Sequence, residues 1–149
     1  MLPRYAWPCH YSVLRLDAEA FSNASGAMYE ISSDPARQLL IVRVSGFWTC
    51  EIMATYRAQV GQQASALRQA GGCKRILVDM SHYPIQSGDI ADGHAAALRF
   101  ARETLGARAA IVMTSALSRL QATRVATSSG HRLFNDDVAA MTWLMGNTD

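Results

Sequence analysis

A strand-length apolar run, Ile76, Leu77 and Val78, is bracketed by Arg75 and Asp79 and followed by a short polar loop. Ser87, Gly88 and Asp89 then open an alanine-rich amphipathic stretch. A buried strand that runs into a loop and a helix start is half of a βαβ crossover. Open α/β sheets place their ligands at the carboxyl ends of such strands. Apolar strands continue to alternate with helical-period segments along the chain, which limits the architecture to a layered α/β sheet.

Met28 begins the regular part. Tyr29 to Ser33 reads as a strand, Asp34 and Pro35 supply turn chemistry, and Leu39 to Val44 reads as a second strand, so the two predict an antiparallel hairpin. Gly46, Phe47 and Trp48 end it. Thr49 is a predicted N-cap with Glu51 in the first helical turn, and Gly71-Gly72 is the matching stop rather than a phosphate loop. A strand over Arg75–Asp79 leads to a helix from Ser87 to about Leu105, with His94 on its apolar face. Ala109 to Met113 is the next buried strand. Thr114 or Ser115 caps a third helical segment carrying Leu117, Leu120 and Val125. A short strand at His131–Phe134 precedes a last helix capped by Asn135. The predicted fold is α/β, order ββαβαβαβα: a five-stranded, mostly parallel mixed sheet with about four helices. It occupies residues 28–149. Residues 1–27 read as an N-terminal extension or a non-native leader.

Composition excludes several classes. With 50% hydrophobic and 17% charged residues the chain is globular, and a formal charge of +2 with scattered arginines gives no basis for nucleic-acid binding. No uncharged apolar run approaches membrane-spanning length. Three cysteines far apart (Cys9, Cys50, Cys73) predict free thiols in a reducing cytoplasm. The four histidines (His10, His82, His94, His131) lack zinc-ligand spacing, and no cofactor is expected.

The candidate residues each carry two readings. Ser87 is a helix cap, or a phosphoacceptor or anion contact with Gly88 beside it, because a helix N-terminus favours negative charge. Asp79, at the end of its strand, is expected to accept hydrogen bonds from the following loop. His82 and Tyr83 are loop residues that can line a pocket. Cys50, in the first helical turn, is a candidate reactive thiol. Trp48, Phe47 and Tyr56 with Trp143 and Met145 are core residues, or an apolar mouth if exposed together. Arg119, Arg124 and Arg132 are surface cations or a seat for an anionic headgroup.

Several of these residues carry a family likeness. Tyr29-Glu30-Ile31, the strand from Leu40 to Val44 with its Gly46-Phe47-Trp48 exit, Ile76 to Asp79, and Arg132-Leu133-Phe134 before a helix containing Trp143 and Leu144 resemble the STAS domain. The likeness is closest to its SpoIIAA-like branch, grouped with CRAL-TRIO-type lipid-transfer domains, and it spans about four fifths of the chain. It implies a non-enzymatic regulatory module that binds a protein partner, a kinase or regulatory protein, and is switched by phosphorylation at Ser87. Ile85 and Gln86 stand where the family pattern has an acidic residue. The lipid-transfer side implies a small apolar ligand instead. A homodimer through the edge of the first strand is also open, with Glu30 and Arg37 nearby to guard it.

Overall fold

The computed structural model describes residues 28–116, 119, 120, 122 and 130–146. Five strands form one sheet in the order of the chain: β1 (Tyr29–Asp34), β2 (Leu39–Ser45), β3 (Arg75–His82), β4 (Arg108–Val112) and β5 (Arg132–Phe134). β1 pairs antiparallel with β2, and every later pairing is parallel. Three helices are described in full: α1 (Cys50–Gln69), α2 (Gly88–Glu103) and α3 (Asp137–Met145). The expected helix between β4 and β5 lies largely outside the described residues, as do Leu117, Val125 and the leader 1–27. Leu120, expected on its apolar face, is exposed.

The hairpin closes through a 3-10 turn, Pro35–Arg37, with the Asp34 carboxylate accepting the Arg37 N–H. Gln38 then takes a left-handed conformation, and its side-chain amide donates to the Gly71 carbonyl at 2.8 Å. α1 ends at that point, with the Gly72 N–H donating to Leu67.

Burial on both faces explains why the strands read as continuous apolar runs. Leu40, Val42, Ile76, Val78, Ala109 and Ile111 point to the side covered by α1 and α2. Leu39, Leu77, Ala110 and Val112 point to the other side, where Ala140 and Leu144 of α3 meet them. Gly93 sits at the α1–α2 crossing, where an added Cβ would come within 2.9 Å of the Met53 methyl.

Two arginines at the amino ends of β3 and β4 fix α3. Arg75 Nε donates to Leu144 O at 2.9 Å, and Arg108 donates to Trp143 O and Leu144 O at 2.8 Å each. These carbonyls are among the last four of the helix, which have no intrahelical donor and carry the negative end of its dipole. The cap at the other end is Asp136, not the expected Asn135: its carboxylate accepts the Ala139 N–H at 2.8 Å.

His131, expected inside β5, sits just before it and is buried. Ala109 N–H donates to its Nδ1 at 2.8 Å, so the ring hydrogen is on Nε2 and is donated to Leu98 O at 3.0 Å. This neutral imidazole ties β4 to α2, and burial lowers its pKa.

Candidate functional site

The carboxyl ends of β2 and β3 and the helices that follow them hold most of the sequence-selected residues. β3 runs to His82, three residues beyond the expected end, because the register against β2 slips between Arg43 and Ser45 and pairs Ser45 with His82. β2 exits through Gly46, whose φ is +73° and where a Cβ would lie 2.7 Å from the Met28 methyl. That turn sends Phe47 outward and Trp48 inward. The Trp48 indole N–H donates to Ser45 O at 2.9 Å.

Trp48 is the hub of an aromatic cluster. Its ring centroid lies 4.8 Å from Tyr56, 5.3 Å from Tyr83, 5.2 Å from His94 and 5.8 Å from Tyr29. The three tyrosines meet it edge-to-face, the arrangement favoured by ring quadrupoles, and the His94 ring is tilted against it at 44°. The Tyr83 hydroxyl and His94 Nε2 are hydrogen-bonded at 2.9 Å. Burial holds His94 neutral, lowering its pKa to about 4, and pushes the Tyr83 phenol up.

Gln86, whose role the sequence did not suggest, pins the β3–α2 loop to the β2–α1 loop. Its oxygen accepts the Trp48 N–H at 2.9 Å, and its amide donates to Gly46 O at 2.8 Å and Pro84 O at 3.0 Å. A carboxylate at this position has no hydrogen to give those two carbonyls.

Under that loop lies a cavity of about 130 Å³, between the carboxyl ends of β3 and β4 and the first half of α2. Met80, Ile111, Met113, Ala95 and Leu98 give it apolar walls, and Tyr83 and His94 also line it.

Ser87 and Gly88 lie on the surface at the start of α2. The expected capping bond is not made: the Ser87 side chain accepts no N–H, although its carbonyl accepts Ala91 N–H at 3.0 Å. A Cβ at Gly88 would meet nothing within 4 Å. Asp79 accepts hydrogen bonds as expected, but from within the lengthened strand and not from the loop: its Oδ1 accepts the Ser81 N–H at 3.0 Å and the Ser81 hydroxyl at 2.6 Å. It also lies 3.8 Å from the Arg43 guanidinium.

The other selected residues separate. His82 is exposed. Trp143 lies across the sheet from Trp48, under the guanidiniums of Arg108 at 4.5 Å and Arg132 at 5.7 Å. The two tryptophans therefore form no common mouth. Arg132 also lies over Phe134 at 5.8 Å, and Arg124 falls outside the described residues. Cys50 is disulfide-bonded and is not the free thiol expected. Cys73 is free and buried, which pushes its thiol pKa up. No group of three potential metal-ligating side chains, and no helix long and apolar enough to cross a membrane, occurs among the described residues.

Among the solved structures similar to this chain is an uncharacterized protein of the DUF3478 family from Shewanella loihica PV-4, with a SpoIIAA-like fold. The match covers 81% of this chain and 98% of that one at a TM-score of 0.56 and 22% sequence identity. The fold is SpoIIAA-like. No family model and no curated protein matches the chain. The fold expectation is thus met, and the function has to be argued from the SpoIIAA-like scaffold's own residues.

Proposed function

We propose that this SpoIIAA-like chain is a non-enzymatic protein-binding module that docks through the β3–α2 loop and the start of α2, and that charge at Ser87 switches it. The observation that carries the reading is the Ser87 hydroxyl, exposed at the N-terminus of a 16-residue helix and not used as a cap. Phosphorylation there would add about −1.5 to −2 charges at the positive end of the helix dipole. Ile85, 42% exposed, supplies an apolar contact beside it, and Gln86 holds the loop rigid from below. Among the described residues, Asp79, His82 and the Tyr83–His94 pair face different surroundings, which supports a non-catalytic role. Asp79 is tied to Ser81 and Arg43, His82 is exposed, and His94 is closed against Tyr83.

The test is native mass spectrometry of the protein from its own host, before and after phosphatase. Loss of about 80 Da, one phosphoryl group, that is absent in Ser87→Ala supports the switch. An unmodified protein whose partner binds wild type, Ser87→Ala and Ser87→Asp equally sinks it.

The second reading, a carrier of an apolar ligand, is favoured by the cavity. Its volume of about 130 Å³ is well below the roughly 300–1,000 Å³ of ordinary ligand pockets. That size suits a ligand much smaller than an acyl-chain lipid, although a wider groove of about 600 Å³ lies between α1 and α2, lined by Tyr56, Val60, Ala97 and Phe100.

A further inference from the structure

We propose that the cavity between β3, β4 and α2 is a binding site for a ligand of one aromatic ring bearing one polar substituent, of the phenol class. This deepens the ligand-binding reading and does not depend on docking at Ser87. Three observations carry it.

The first is size. An enclosed apolar cavity of roughly 150 Å³ takes up benzene, and this one measures about 130 Å³. This cavity is open at its rim; a single ring matches its volume, whereas a whole fatty acyl chain exceeds it.

The second is the wall. Met80, Leu98, Ile111 and Met113 are apolar, and two of them are methionines, whose thioethers make favourable contacts with ring edges. Water in such a site needs two to four polar partners. The polar side chains that line it are Gln86, Tyr83 and His94. Gln86 spends its oxygen on Trp48 N–H and its amide on two carbonyls, so it has little left to give. The site thus favours an apolar occupant over water.

The third is the spare capacity of the Tyr83–His94 pair. A hydroxyl offers one hydrogen and two lone pairs, and its bond to His94 Nε2 uses one of these. If the Tyr83 hydrogen goes to the imidazole, the phenolic oxygen can still accept. If Nε2–H is the donor, the Tyr83 hydrogen is still available. A ligand hydroxyl, both donor and acceptor, suits either tautomer. Ile85 and Ala91 line the cavity and are exposed, so they form its rim on the side of the β3–α2 loop.

The experiment is a titration of the full chain with phenol, benzene and dodecanoate, read on the 13C-methyl resonances of Met80 and Met113. Phenol and benzene are expected to shift both methyls saturably, with dissociation constants on the order of 1 mM or tighter. Dodecanoate is expected to leave them unmoved. Ala95→Leu, which fills the cavity, should weaken both aromatics at least about tenfold. Ala91→Leu at the exposed rim is the second blocking variant should Ala95→Leu fail to fold. Tyr83→Phe should weaken phenol roughly fivefold and leave benzene unchanged, as expected for one lost hydrogen bond. Methyl shifts that persist at full strength in the blocking variants, or none with either aromatic, overturn the proposal. Saturable binding of dodecanoate without phenol overturns the single-ring class while keeping the carrier reading, so the two failures are distinct.

Discussion

His94 sets how the aromatic cluster responds to acid. Its ring is packed against Trp48, Tyr56 and Tyr83, and its pKa in the folded chain is about 4. The unfolded value is about 6.5, so between these values the unfolded chain binds the proton more readily. Stability from this group is complete above about pH 6.5 and falls as the pH drops toward 4, by up to about 3 kcal/mol. Urea midpoints for wild type should fall steeply over that window, and His94→Phe, which keeps a ring but cannot titrate, should flatten the fall. An equal slope in both proteins would remove His94 from the account; His131, also lowered, would then be the group to test. At this scale the sequence is legible where a residue acts on its neighbours. Asp79 with Ser81 is two residues apart, and Trp48 follows the end of its strand directly. Gln86 is not legible, because its partners Trp48 and Gly46 lie 38 and 40 residues away in the chain.

Each helix begins differently, and the differences are measurable. Thr49 accepts Ile52 N–H at 3.3 Å and Asp136 accepts Ala139 N–H at 2.8 Å, whereas Ser87 caps nothing. Thr49→Ala and Asp136→Ala should each cost about 1 kcal/mol in denaturant unfolding. Ser87→Ala should stay within about 0.5 kcal/mol. A full capping cost at Ser87 would show that its hydroxyl is committed to the helix, which counts against the switch. The far end of α3 is held by charge. Arg108→Ala should cost about 2 kcal/mol, since it strips charge-assisted donors from Trp143 O and Leu144 O. The readout is the unfolding midpoint, and a shift under about 0.5 kcal/mol would mean that Arg75 alone suffices. Helix starts were legible to within one residue, and Asp136 prevailed over Asn135 only through geometry. Where strands end was less so, since β3 lengthens by carrying three steps, Asp79 to His82, against the two from Arg43 to Ser45 in β2.

On the scale of the whole molecule, two apolar layers share one sheet, and Trp48 and Trp143 report on opposite sides of it. Both should unfold together. Trp48→Phe and Trp143→Phe variants, followed by the fluorescence of the remaining tryptophans and by far-UV circular dichroism, should give coincident transitions within each protein. Separate midpoints would mean that α3 comes off independently. The alternation of strand and helix made the parallel sheet legible. The cavity was not, because Leu98, Ile111 and Met113 read as ordinary helix-face and strand residues, Met80 fell beyond the expected strand, and only their positions leave a gap. One feature of the sheet bears on how the protein is made. Its strands stand side by side in the sequence in which the ribosome delivers them. A nascent chain can therefore form the β1–β2 hairpin first and extend it one edge at a time, with no later strand having to wedge between two already paired. Translation and assembly can advance in step, and the growing edge is covered as soon as the next segment clears the exit tunnel.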